Sequence, residues 1–374
     1  MDKKFISNII DNEYFELPPN RLKCKMVGFL RSFVPNNIEL VNPHIVICNK
    51  TGKFDKILVT NIITSNFVFL KDSVIEKIYN NDFPENKKKD LMDSFKHLKQ
   101  AFVSVVIFPE FNCSIFGNSE ELPQKITDFL CEANFDLKFL TLVGSFFNYP
   151  IWAPKPRISS INISQQFTIK SSFLAGLSSE EKNLAINNNM PSSATIYGSR
   201  FPVMIKSNNL AENIESIVYA CPKCGTLFSV YSEYNYLKCR ECGSAIEFAH
   251  NGQISLSNTI HTFDDFDEFL FNNLKNRSFS IKPIISYDSV YLMTRLTNGK
   301  IKELGQIALT IFANKIEIKT SNKTTTIKFS NIKNIKLVED NTIIIFTKNE
   351  EFVVRGKNKE NFYILFHLQK INNN

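Results

Sequence analysis

The chain has 374 residues, of which 43% are hydrophobic and 34 are Phe, against only 12 Gly and 14 Pro. That exceeds the usual size of one hydrophobic core, so roughly two or three domains are expected, and the composition excludes a long low-complexity or disordered protein. A net charge of +7 suits a phosphate-bearing partner, anionic lipid or nucleic acid, but the densest basic run, Lys87-Lys88-Lys89, meets Asp90 at once and reads as a solvated surface.

Met1 to Asn8 runs straight into Asp11-Asn12-Glu13 without the apolar stretch of a cleavable signal, so a cytoplasmic protein is expected. The longest apolar runs, 103–108 and 139–147, fall far below the ~20 residues needed to cross a bilayer and read as buried strands. A strand at 45–48 ends in the loop 49–55, and a second lies at 67–70. Leu91, Phe95, Leu98 and Phe102 recur at helical spacing and feed the strand 103–108, which delivers Glu110. Leu122, Ile126, Phe129 and Leu130 mark another helix, followed by a strand at 139–143. Strands alternating with helices predict an α/β fold, a mostly parallel sheet flanked by helices, with its site at the carboxyl ends of the strands. Alternation over 157–170 adds a strand, Ser178-Ser179-Glu180-Glu181 opens a short helix, and this domain is expected to span 1–207.

Four of the eight cysteines, Cys24, Cys48, Cys113 and Cys131, are scattered; the other four are not. Cys221-Pro222-Lys223-Cys224-Gly225 and Cys239-Arg240-Glu241-Cys242-Gly243 are two knuckles separated by 14 residues. Each places two thiolates on a tight turn, the following Gly accepts the left-handed geometry, and two knuckles complete a tetrahedral shell. The reading is a zinc ribbon over 215–250 holding a structural Zn2+, because four sulfurs leave no open position. A redox dithiol would need its Cys-x-x-Cys to open a helix in a βαβ unit, and this segment has neither. Without a basic and aromatic face, the ribbon reads as a structural staple in preference to a nucleic-acid module.

Phe266, Phe269, Leu270 and Leu274 share a face of a connector helix at 260–277. From 281 to 374 the pattern becomes seven short strands separated by turn residues, then a helix carrying Phe362, Leu365, Phe366 and Leu368, an order that resembles a PH-like roll.

Two blocks at the ends of the predicted strands carry the functional signal: Asn49-Lys50-Thr51-Gly52-Lys53-Phe54-Asp55 and Phe108-Pro109-Glu110-Phe111-Asn112-Cys113-Ser114. With them, residues 40–155 resemble the phospholipid/glycerol acyltransferase family, whose first motif is His, four residues, Asp, and whose second is Phe-Pro-Glu-Gly followed by a basic stretch. The order of α/β domain, zinc ribbon and β-roll is similar to a bacterial subgroup of that family. The resemblance implies acyl transfer from coenzyme A or acyl carrier protein to a lysophospholipid such as lysophosphatidic acid, by a protein peripheral to the inner membrane face. It places Lys50 at the base position, Asp55 and Glu110 at retained site positions, and Ser114 and Lys53 beside the substrate.

The chain departs from that pattern where the chemistry is most demanding. A lysine with a pKa of ~10.4 must be depressed by about three pH units, at roughly 4–5 kcal/mol, to act as a base at neutral pH, and Asp55 opposes that change. Phe111 replaces the Gly that lets backbone approach a phosphate, Asn112 replaces the basic residue, and 72–85 lacks the family's Gly-rich, Arg-containing strand. The five histidines, His44, His97, His250, His261 and His367, read as surface or packed residues. Lys50, Lys53 and Lys56 form either point charges for a phosphate head group or a solvated loop; Phe146, Phe147, Tyr149, Ile151 and Trp152 either touch acyl chains or pack a core. The expectation is a family member with lost or greatly reduced activity, the alternative a lipid-binding or scaffolding protein at the membrane surface.

Overall fold

Four short apolar runs make the centre of the sheet in the computed structural model, which describes residues 11, 13–19, 38–52, 54–112, 115–117, 119–190, 203–256, 259–277, 282–296, 301–321, 323–338, 341–357 and 360–373. The strands are β1 (Phe15–Glu16), β2 (His44–Cys48), β3 (Phe67–Leu70), β4 (Ser104–Ile107), β5 (Asp136–Val143), β6 (Ile158–Ser159), β7 (Asn162–Ile169) and β8 (Ile205–Lys206). Six of them form one sheet in the order β1-β3-β4-β2-β5-β7. The expected mostly parallel sheet is a mixed one: the central four strands are parallel, and β1 and β7 pair antiparallel at its edges.

Burial on both faces explains why the central strands read as continuous apolar runs. Ile45, Ile47, Val105 and Ile107 pack on one side with Leu91, Phe95, Leu98, Ile126 and Phe129. Those side chains come from α3 (Glu85–Gln100) and α4 (Gln124–Glu132), which follow α1 (Asp55–Ile62) and α2 (Asp72–Tyr79) in the chain. Val46, Cys48, Phe69 and Val106 face the opposite side, against Leu58, Val59 and Ile62 of α1. Further along come the short α5 (Ser145–Asn148), α6 (Ser171–Ala175) and α7 (Ser179–Asn187), the last with a reciprocal cap between Ser178 and Glu181.

The chain divides into two compact units: Met1–Pro150 with Lys155–Ser207 and His250–Gly252, and Ile151–Pro154 with Asn208–Ala249 and Gln253–Asn374. In the second unit, β9 (Val230–Glu233), β10 (Tyr236–Cys239), β11 (Ala245–Phe248), β12 (Ile254–Leu256) and β13 (Thr259–His261) form an antiparallel sheet in sequential order. Helix α8 (Phe263–Lys275) follows, capped reciprocally by Thr262 and Asp265. A curled antiparallel sheet comes next: β14 (Ile285–Leu296), β15 (Ile301–Ile311), β16 (Lys315–Lys319), β17 (Thr324–Lys328), β18 (Ile332–Val338), β19 (Thr342–Thr347) and β20 (Glu350–Arg355), in the order β17-β16-β15-β14-β20-β19-β18.

The register of β14 against β15 shifts twice, between Tyr287 and Val290, where β14 carries the extra residue, and beside Leu292, where β15 does, next to Gly305 at φ +74°; the second half of β14 also pairs with β20. The inward faces bury Val290, Leu292, Leu309, Ile318, Ile345 and Val354, and helix α9 (Ile364–Asn373) packs Leu365 and Leu368 in the interior. Among the described residues, no helix is long and apolar enough to cross a membrane.

Candidate functional site

The two sequence blocks meet at the carboxyl ends of β2 and β4, which are neighbours in the sheet. Lys50 leaves β2 and donates its backbone N–H to Glu110 Oε2 at 2.5 Å; the other carboxylate oxygen accepts from Glu120 N–H at 3.0 Å. Glu110 is 1% exposed, so its carboxyl ties two loops together from inside. Asp55, the first residue of α1, folds back onto its own turn: Oδ2 accepts from Thr51 N–H (2.6 Å) and Gly52 N–H (2.8 Å).

The turn is anchored on the β5 side as well. Asn49 exchanges hydrogen bonds with both the carbonyl and the N–H of Leu142, continuing the β2–β5 ladder with a side chain, and the Thr51 and Ser145 hydroxyls lie 2.5 Å apart. Gly52 packs closely on the β5 side: a Cβ there would stand 3.2 Å from the Ser145 carbonyl oxygen, so a side chain would require the backbone to give by a few tenths of an ångström. The position between β2 and β5, where the chain's connections diverge and α/β sheets commonly bind ligands, is filled by Asn49, Thr51 and Ser145.

The Lys50 ammonium pairs with a different carboxylate, that of Asp72. Its Nζ is 3.0 Å from Asp72 Oδ2, at the start of α2, while Lys56 Nζ is 2.8 Å from Asp72 Oδ1 and 2.6 Å from Glu16 Oε1. Although burial opposes it, the Lys50 and Lys56 charges hold the Asp72 carboxyl far below the usual range. For Asp55 and Glu110 burial wins over their N–H donors and pushes the carboxyls up, to about 7 and about 8. Among the described residues no histidine hydrogen-bonds to Asp55. His44 sits at the opposite end of β2, where its Nδ1 meets the Asn42 carbonyl at 2.6 Å.

Phe111, in the position of the motif glycine, is buried with its ring 5.1 Å from that of Tyr79. Phe146 and Phe147 are buried against each other at 5.2 Å, and Trp152 is buried beside Phe263, so these three serve as core. Ser114 and Lys53 lie outside the described residues.

The four grouped cysteines do converge. Their sulfurs all lie within 4.8 Å of one another, with Cys221–Cys242 at 3.7 Å and Cys224–Cys239 at 3.8 Å. A tetrahedral ion with Zn–S bonds of about 2.3 Å requires S···S edges of about 3.8 Å, so the set fits an ion such as zinc. Gly225 (φ +73°) and Gly243 (φ +66°) close the two turns, each donating its N–H to the carbonyl of the first cysteine, Cys221 and Cys239. Burial raises the Cys221 thiol to about 11; at Cys239, where burial also opposes ionisation, the Ser229 hydroxyl and the Cys242 and Glu241 N–H groups draw the thiol down to about 6. Ser244 Oγ stands 3.1 Å from the Cys242 sulfur and Ser229 Oγ 3.3 Å from that of Cys239, supports around the metal ligands that spacing alone did not reveal.

Asp72 and Glu16, whose carboxylates pair with Lys50 and Lys56, and Glu120, whose backbone N–H bonds Glu110, are partners that the sequence motifs missed. Asp72 follows a strand separated from β2 by β4, so only the strand order shows that a lysine after β2 reaches it. Comparison with protein-family models gives no match, and comparison with curated proteins gives none either.

Proposed function

We propose that the first unit is an acyltransferase-like scaffold in which the catalytic position has become a structural brace, and that the protein acts as a non-catalytic lipid-binding or scaffolding component at a membrane surface. The observation carrying this reading is that Asp55 and the Lys50 ammonium are engaged by different partners. The carboxylate that would orient a base is 3% exposed and bonded to Thr51 and Gly52, whereas the Lys50 ammonium is paired with Asp72. A base must reach the proton it takes and be unprotonated to take it. Lys50 instead places its ammonium 3.0 Å from the Asp72 carboxylate.

In this reading the cysteine cluster is a zinc ribbon with a structural Zn2+, and the curled sheet with its closing helix is a PH-like roll. Phospholipid or lysophospholipid is the partner class, in line with the net charge of +7.

The test is transfer of labelled acyl groups from coenzyme A or acyl carrier protein to lysophosphatidic acid by the purified protein, beside flotation with anionic vesicles at low salt. No turnover with vesicle association is the expected result, and Lys50→His is expected to stay inactive because Asp55 remains engaged with its own turn. Turnover by the wild type that Asp55→Ala abolishes would sink the non-catalytic reading; absence of flotation would sink the lipid partner.

A further inference from the structure

The seven-stranded roll ends in two edge strands, β17 and β18, joined by the short turn Phe329–Asn331. At β18 the edge carbonyls of Ile332 and Lys333 accept hydrogen bonds from the Gln369 amide of α9, at 3.3 and 3.2 Å. At β17 no described strand pairs with the outer edge.

The bonds at the two ends of the β16–β17 hairpin determine which groups that edge presents. Thr320 N–H donates to the Lys323 carbonyl and Phe329 N–H to the Asn314 carbonyl. Bonded and non-bonded pairs alternate in an antiparallel ladder. With the observed register, Ile318–Thr325 and Ile316–Ile327 are therefore the bonded pairs, and Lys319–Thr324, Glu317–Thr326 and Lys315–Lys328 the non-bonded ones. The N–H and C=O groups of Thr324, Thr326 and Lys328 point away from β16, toward the open edge.

A groove of about 700 Å³ runs beside this edge. Its floor is apolar, from Ile327, Ile332 and Phe352, each about 5% exposed or less. Lys333 and Lys348 stand on its walls against one acid, Glu350, and Lys328 is exposed on β17 itself. Outward backbone groups, an apolar floor and a positive rim are together what an added strand requires: ladder bonds for affinity, a place for alternate side chains, and a charge preference. Lysines on a bare edge also deter indiscriminate strand pairing, and the same charges select a strand that carries acids.

We propose that this groove binds an extended acidic peptide segment of a partner protein, which pairs with β17 as a further strand of the roll. The probe is a fluorescein-labelled heptapeptide alternating Val and Glu, titrated into the full-length protein by anisotropy, with its Val/Lys counterpart as control. The expected result is binding of the acidic peptide alone, weakened about tenfold or more by Lys348→Glu and by Thr326→Pro. Proline at 326 deletes an outward N–H and leaves the bonds to β16 in place, the position at which edge strands tolerate it.

Should Thr326→Pro fail to fold, amide exchange in the wild type decides, with slowing at Thr324, Thr326 and Lys328 under saturating peptide as the supporting result. Equal binding by a folded Thr326→Pro, unchanged exchange at those three amides, or a groove that answers to phosphatidylserine vesicles and not to the peptide would each overturn the proposal.

Discussion

Asp55 and Glu110 carry carboxyl groups into the interior with backbone N–H donors as partners and, among the described residues, no hydrogen bond from an ammonium. Two N–H bonds do not replace the hydration of a full charge, so burial keeps both groups protonated well above their ordinary range. For Glu110, ordinarily near 4.5 and here about 8, folded and unfolded chains are both protonated below about pH 4.5. Between 4.5 and 8 only the unfolded chain ionises, so stability falls as pH rises through that window, and above about 8 the loss is complete. Each pH unit of such a displacement corresponds to about 1.4 kcal/mol. Glu110→Gln removes this titration, and the urea midpoint of the variant is expected to drop less than that of the wild type between pH 5 and pH 8.5. Equal drops would remove Glu110 as the source. The sequence motifs were sufficient to single out Lys50, Asp55 and Glu110 as neighbours of one loop cluster. They gave no sign of which charges would pair, because Asp72 and Glu16 reach the cluster through strand order, a long-range property.

At the level of elements, the most legible segments were those whose local pattern and tertiary burial agree. The four central strands announce themselves as apolar runs because both faces are covered, and the seven strands of the roll follow their alternation and turn residues. Helix α1 was not foreseen: its sequence Asp-Lys-Ile-Leu-Val-Thr-Asn-Ile is rich in β-branched residues, yet Leu58, Val59 and Ile62 are drawn against Val46 and Phe69, and packing overrides a weak helix propensity. Helix α2 was likewise unforeseen; its first residue supplies the carboxylate that holds Lys50. The turn from β5 into α5 has its own requirement. Gly144 adopts φ +86°, and a Cβ there would stand 2.2 Å from the Ser160 carbonyl oxygen, a backbone atom that cannot turn aside. Gly144→Ala is therefore expected to destabilise by at least about 1–2 kcal/mol from the left-handed backbone alone, with the clash in addition. Urea unfolding followed by far-UV circular dichroism measures it, and a variant within about 0.5 kcal/mol of the wild type would contradict this account of the turn.

For the molecule as a whole, the chain has a single tryptophan, Trp152, and that residue belongs to the second unit. Its ring lies 5.7 Å from that of Phe263, which in turn lies 5.8 Å from Phe248 of β11, and its carbonyl accepts from Asn213, whose N–H bonds Ser232 of β9. Indole emission thus reports the packing around the cysteine-bearing sheet. Among the described residues, that sheet buries few large apolar side chains of its own, chiefly Val230, Leu237, Ile246, Phe248 and Ile254. A small core of this kind usually needs a staple, and a metal bound only by the folded form adds its binding free energy to folding. One zinc ion per chain is expected by elemental analysis. Its removal by a chelator, or Cys239→Ser, is expected to red-shift Trp152 emission and to lower the urea midpoint read at that wavelength, with zinc but not magnesium restoring the chelated protein. Because thiolates are the ligands, acid is expected to act like the chelator, releasing metal as the sulfurs take up protons. A metal-free protein whose Trp152 emission and midpoint match those of the zinc-loaded form would show that the four sulfurs, however well spaced, do not hold this part of the fold together.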